Sequence, residues 1–353
     1  MTNPVPSSPF EAPGLSAHER LACMPLNMNM HTNFPRNFSS TSNVEDQETQ
    51  AQAKPNPPND EVGTTTGQDA DADARALARS KAKGMARSKS VSINNDIISL
   101  GREKKWKDIL RLYHREAQYF DNVNTATLMT QLGRIQEVRT DDPMLKTFLA
   151  DLHTKLIRHG ITWLKGTREI ANVVHAIAKM NRRQDGSPSG IQILRLIEHG
   201  QNARLMFVYG NEREIAMCVW AFASLGIQAP NFFRLLDERA EWMIRGGTPQ
   251  NIANCAWACG ALGIQSPNLF RWLDDHAERV FRHVNPLDVS GSIWACGALG
   301  IPSPNLFRLL DTHAEQLFET GSPDVIANCV WACGRLGVES PNLFRWLDAR
   351  ADW

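Results

Sequence analysis

The 353-residue chain has no uninterrupted run of about eighteen apolar residues, the length a helix needs to cross a bilayer, so no membrane span is expected. Its first residues lack the apolar core of a secretory signal. They do not form a clean transit peptide either, because Glu11 and Glu19 precede the first basic residue, Arg20. Cysteine is scarce, seven in all, and is concentrated in the C-terminal half rather than spread as a secreted disulfide framework, which favours a reducing compartment. A phosphate-binding glycine loop, a Ser/His/Asp set, paired carboxylates on a recognisable scaffold and a four-ligand metal spacing are all missing. The expectation is a protein that is not an enzyme and needs neither cofactor nor metal. Lysine is also absent from residues 191–353, which carry thirteen arginines against seventeen acids.

What is present is unevenly distributed. Length alone would allow two or three domains. Residues 1–93 are rich in Pro, Ser, Asn, Gln and Thr with few regularly spaced apolar positions, and a stretch of that kind is expected to stay disordered. The formal net charge of zero hides a polarity, since Ala74 to Phe120 holds twelve Lys/Arg against four Asp/Glu. A polyanion such as RNA would be steered first toward "RALARSKAKGMARSKS" and "GREKKWKDILRLYHR", where Lys104, Lys105 and Lys107 are candidate phosphate contacts. A solvated basic linker beside an exposed helix face is the other reading.

The C-terminal half is periodic. Trp220, Trp257, Trp294 and Trp331 stand 37 residues apart, and Pro230, Pro267, Pro304 and Pro341 repeat at the same interval. A Gly, a Phe, an Arg and an Asp recur in the same register. In "TPQNIANCAWACGALG", Thr248 reads as N-cap, Pro249 as the first helical residue and Gly263 as a left-handed stop. "SPNLFRWLDDHAERVF" then reads as one second helix, with an apolar stripe of Phe270, Leu273, Ala277 and Val280. Paired helices at a fixed period, with no strand pattern between them, predict an all-α fold, an α-solenoid of antiparallel hairpins. Residues 206–353 would form four regular hairpins, the last incomplete, and 94–205 divergent ones. "REIANVVHAIAKM" places His175 in the Trp position, "NTATLMTQLGRI" places Thr130 there, and Asn94 to Arg115 could supply one more pair. The sequence ends at Trp353 inside a second helix, so the chain is expected to be part of a longer product or to present an open end that binds something.

Comparing repeats addresses the cysteines. The positions two before and two after the Trp hold Cys218 and Phe222, Cys255 and Cys259, Ser292 and Cys296, then Cys329 and Cys333. Phe cannot ligate a metal, so a packing role is expected. A helical wheel puts Ile252, Cys255, Ala256, Cys259 and Leu262 toward the second helix, with Ala253, Gly260 and Ala258 on flanks small enough for first helices to stack closely. The Trp falls opposite, beside positions that vary: Arg213, Met217 and Ser224, then Gln250, Asn254 and Ala261, then Leu287, Gly291 and Ala298, then Asp324, Asn328 and Arg335. Read as a ligand face, this row of Trp (His175 in the earlier copy) would stack unpaired bases while the polar neighbours read base edges. Read as packing, each Trp wedges between adjacent hairpins. The repeated Arg271 and Asp274, three apart, read as an ion-pair ladder or, for the Arg row, as a phosphate grip.

"TPQNIANCAWACGALG", "REIANVVHAIAKM" and "SPDVIANCVWACGRLG" resemble the first helix of octotricopeptide-type repeats. They are also similar to the helical repeats of FAST-kinase-family mitochondrial proteins and of kinetoplastid mitochondrial RNA-editing substrate-binding proteins. The resemblance covers Asn122 to Trp353, and Asn94 to Arg115 resembles a pentatricopeptide helix pair. It implies a protein that binds single-stranded RNA in a mitochondrion or plastid, acts in processing, stability, editing or translation, and has protein partners in a ribonucleoprotein. The alternative is a scaffold solenoid that holds a peptide or partner helix and no nucleic acid.

Overall fold

The structure, a computed structural model, describes residues 67–182 and 188–350. The disorder expected of residues 1–93 falls, for residues 1–66, outside the described residues. From Gly67 onward the chain is helical, because alanine and the long basic side chains of this stretch favour helix despite its polarity. The helix α1 runs Gly67–Arg102, and its residues up to Ser92 belong to a unit separate from the repeat body, which includes Ile93 onward.

The repeat body is all helix among the described residues. After α1 come α2 (Trp106–Glu116), α3 (Asn122–Arg134), α4 (Pro143–His159), α5 (Thr167–Asn181), α6 (Pro188–Glu198) and α7 (Gly200–Tyr209). The regular hairpins follow: α8 (Glu212–Ser224) with α9 (Pro230–Glu238) and α10 (Ala240–Gly246), then α11 (Pro249–Leu262) with α12 (Pro267–Asp275) and α13 (Glu278–Phe281). The next are α14 (Pro286–Leu299) with α15 (Pro304–Thr312) and α16 (Ala314–Thr320), then α17 (Pro323–Leu336) with α18 (Pro341–Ala349). The first helices α3, α5, α8, α11, α14 and α17 pack side by side in chain order, and the second limbs α6, α9, α12, α15 and α18 form a parallel row. The divergent copies in 94–205 therefore join the same array as the regular ones.

The expected single second helix is two short ones. The break falls at Arg239, His276 and His313, whose backbone leaves helical values (φ −110°, −126° and −103°). Side chains here turn to carbonyls: Arg239 donates to Phe207 O in the preceding hairpin at 2.8 Å, and His276 and His313 approach the carbonyls of Trp272 and Leu309. The first helices end as their sequence dictates. Gly226, Gly263, Gly300 and Gly337 adopt φ between 64° and 70°, which only glycine takes without strain, and the next residue donates back across the last turn, as Ile264 N does to Cys259 O at 2.9 Å.

Close stacking of first helices rests on paired small residues. A Cβ on Gly260 would lie 3.0 Å from Ala295 Cα, one on Gly297 2.9 Å from Ala332 Cα, and one on Gly133 2.9 Å from Ala176 Cα. Each pair joins the position three after the Trp slot to the position one after it in the next hairpin, as the small-residue flanks predicted.

The repeated Asp does not build an ion-pair ladder with the repeated Arg. Asp237 accepts from the backbone N–H groups of Asn268 and Leu269 and from the Asn268 amide, all at 2.9–3.0 Å. Asp274 accepts from Leu306 N and Asn305 Nδ2, and Asp311 accepts from Ser340 Oγ and from Asn342 and Leu343 N. Each carboxylate caps the second limb of the following hairpin, satisfying donors that the local Ser-Pro start leaves unmet. Glu198 serves Asn231 in the same way. Replacing Asp311 by Ala is expected to cost about 1–2 kcal/mol in urea unfolding, because half-buried helix-start donors lose their cap, while Asp348→Ala leaves stability unchanged.

Candidate ligand-facing surfaces

The Trp row is not an open platform. Trp220, Trp257 and Trp294 are 2%, 5% and 3% exposed, whereas Trp331 is 41% exposed. The cause lies in the close stacking just described: the Trp294 ring lies against Gly260 and the Trp331 ring against Gly297, so each indole crosses the helix before its own. Trp294 and Trp331 stack at 6.3 Å between centroids, and His175 lies 5.1 Å from Trp220, with Arg182 over the same indole at 5.8 Å. The aromatic slot is therefore a ladder running along the solenoid through its packed interior. His175 is half-buried with Nε2 sealed from solvent, and burial, chiefly, pulls its pKa down to about 3, so its ring is neutral.

The varying neighbours divide. Asn254, Met217, Gly291, Ala261 and Asn328 are buried, and the Asn328 side-chain amide nitrogen has no partner. Arg213, Gln250, Leu287, Ala298 and Asp324 are half-buried. Ser224 is half-buried too and donates to Ala221 O at 3.0 Å. Arg335 alone of the set is exposed. The reading of Trp220, Trp257, Trp294, Asn254 and Asn328 as side chains open to bases is thus corrected. A wheel shows which residues share a side, but not that glycine on the adjacent helix lets an indole lie flat across it.

The basic candidates are open. Lys104, Lys105 and Lys107 are exposed at the α1–α2 junction, with Lys105 paired to Glu103 at 2.6 Å and the Lys107 ammonium 5.4 Å from the Trp106 ring centroid. Arg111 is exposed beside them and pairs with Asp108. On the second limbs, Arg234, Arg271, Arg308 and Arg345 are all exposed, one per hairpin in register. Arg234 meets Glu238 one turn on, and Arg271 donates to Asn268 Oδ1 at 3.3 Å. None of the four holds the repeated Asp, which at Asp237, Asp274 and Asp311 is committed to the next helix. The release of this Arg row is not legible in sequence, because the partner of each capping Asp lies about thirty residues further on, at the second residue of the next helix.

The thiols are interior. Cys218, Cys255, Cys259, Cys296, Cys329 and Cys333 are free and buried. Burial pushes Cys259 and Cys296 up to about 12, and each also contacts the hydroxyl before the second limb, Ser266 at 3.5 Å and Ser303 at 3.3 Å. Protonated, buried thiols fill space between the two limbs of a hairpin rather than presenting thiolates. No family model matches the chain, and no curated protein matches it.

Proposed function

We propose that the chain binds single-stranded RNA, held through its phosphates along the second limbs of the solenoid. The observation that carries this reading is the exposed arginine recurring once per hairpin, Arg234, Arg271, Arg308 and Arg345, while Asp237, Asp274 and Asp311 of the first three of these limbs are occupied as helix caps. Arg271, Arg308 and Arg345 hold no carboxylate among the described residues, and the exposed pair of Arg234 with Glu238 is weak enough to exchange, so each guanidinium can grip a phosphate through two parallel hydrogen bonds. The exposed lysines Lys104, Lys105 and Lys107 add phosphate contacts at the other end of the array, where positive charge is in excess. The buried indoles argue against base stacking as the main source of affinity, so the proposal moves recognition from the Trp row to the phosphate contacts. The resemblance to organellar repeat proteins supports RNA processing, stability, editing or translation in a mitochondrion or plastid as the setting.

The test is a salt titration of a fluorescent oligouridine. Binding is expected at low salt with a linear loss of log affinity as log salt rises. Changing all four arginines to Gln is expected to reduce the slope by about 3, since each phosphate contact on a single strand contributes about 0.7. Absence of retention by the unmodified protein at low salt overturns the proposal in favour of the protein-binding scaffold.

A further inference from the structure

Tyr209, the last residue of α7, is 76% exposed, and Val208 beside it is 58% exposed. Packing does not demand an aromatic there, since the same position holds Gly246, His283 and Thr320 in the following hairpins. The Tyr209 carbonyl accepts from Thr167 Oγ1 at 3.5 Å, which sets the corner entering α5 against the end of α7. That corner is basic. Lys165 and Arg168 are exposed on it, and Arg204, exposed on α7, lies one turn before Val208 on the same side of the helix. Lys165 and Arg204 hold no carboxylate among the described residues, and Arg168 pairs with Glu169 at 3.3 Å. The Glu212 carboxylate, three residues beyond Tyr209, is turned to Gly246 in the next corner. Lys165 also has a positive φ, 63°, at the position that holds Gly210, Gly247 and Gly321 in later hairpins. A lysine takes this left-handed backbone only at a cost, so a cation is kept where glycine would fold more easily.

We infer, on the RNA reading given above, that this corner stacks one base of the strand on Tyr209 and holds the adjoining phosphates on Lys165, Arg168 and Arg204. An open aromatic ring beside unengaged cations matches a nucleotide, whose flat base and charged phosphate come together at every step of a single strand. A duplex does not offer the same match, because its base faces are covered by their neighbours. An acidic peptide would meet the cations and leave the ring bare. The corner and the arginine row then divide the work. Arg234, Arg271, Arg308 and Arg345 repeat along the second limbs and contact phosphates alone, whereas Tyr209 supplies the base contact from which burial removes Trp220, Trp257 and Trp294. Stacking on one tyrosine accepts any base, so this contact selects single strands over duplex rather than one sequence over another.

The probes are a fluorescent oligouridine and an abasic oligomer of the same length and charge. The unmodified protein is expected to bind the oligouridine more tightly. Tyr209→Ala is expected to weaken oligouridine binding about tenfold, with the salt slope and the abasic affinity unchanged, whereas Tyr209→Phe, which keeps the ring, binds as the unmodified protein does. Lys165→Gly, which installs the residue of the later hairpins and so keeps the fold, is expected to lower the slope by about 0.7. Changing the four limb arginines to Gln separates the two contacts, because it lowers the slope and leaves the effect of Tyr209→Ala in place. Oligouridine binding that is the same in Tyr209→Ala as in the unmodified protein overturns the base contact and leaves the phosphate grip of the second limbs standing. No retention of RNA at low salt overturns both. Polyglutamate binding that is weakened by Lys165→Gly, with oligouridine binding untouched by it, would assign the corner to an acidic protein segment and overturn the base contact as well.

Discussion

Trp294→Ala is expected to destabilise the protein by about 3–5 kcal/mol, whereas Trp331→Ala, the same residue in the same repeat position, is expected to cost under about 1 kcal/mol. The difference follows from what each indole touches. Trp294 is buried, with its ring over Gly260 and stacked on Trp331, so removing it leaves a cavity along two helix contacts that the rigid backbones of α11 and α14 cannot close. Trp331 has one such neighbour and a free outer side. Chemical unfolding of the two variants followed by circular dichroism gives the comparison. The result also separates two accounts of the Trp row. A base-stacking residue would lose RNA affinity on truncation while leaving stability nearly unchanged. An interior wedge loses stability first. Equal and small stability losses for the two variants would return the indoles to the ligand face.

The architecture was legible in the sequence because the features that encode it are local and repeated. Gly263 stops a helix through its own backbone, Thr248 caps through its own side chain, accepting from Asn251 N at 3.2 Å, and Pro267 starts the next limb. Each acts within a few residues, so a single sequence displays it. The Gly260 to Ala295 approach was legible as smallness at two positions, though the partner of each was not. What the sequence concealed depends on neighbours one repeat away. Whether Trp257 faces solvent is decided by the packing around α11, and a wheel drawn for one helix contains no neighbour. The Asp237 cap on Asn268 and Leu269 is likewise hidden, because a sequence shows the nearer arginine in the same limb and not the donors of the following hairpin. Both misreadings share one cause: in a solenoid, half of each hairpin's contacts belong to the next.

That dependence on the next hairpin gives the sharpest test of the stacking itself. Gly260→Val is expected to destabilise by about 3 kcal/mol, while Gly334→Val at the equivalent position is expected to be neutral or to stabilise by a few tenths of a kcal/mol. Glycine within a helix is unfavourable, so any larger residue starts with a gain from backbone entropy. At Gly334 nothing opposes that gain, since no atom lies within 4 Å of the added carbon. At Gly260 the added carbon would meet Ala295 Cα at 3.0 Å and the Trp294 ring at 2.9 Å. The first is backbone and the second is wedged in place, so neither can give way by rotating a side chain. The helices α11 and α14 would have to separate, and α14 is itself held on its other side by α17 through Gly297 and Ala332. Stability in such an array is approximately a sum of hairpin and neighbour terms, so separating one pair weakens a single interface and divides the array there. Unfolding of Gly260→Val is therefore expected to lose its single sharp transition, with amide exchange accelerated on the two sides of the α11–α14 contact and least changed in α3 and α5. A uniform shift of the whole transition, or equal effects at Gly260 and Gly334, would mean that close helix approach is not what holds neighbouring hairpins together.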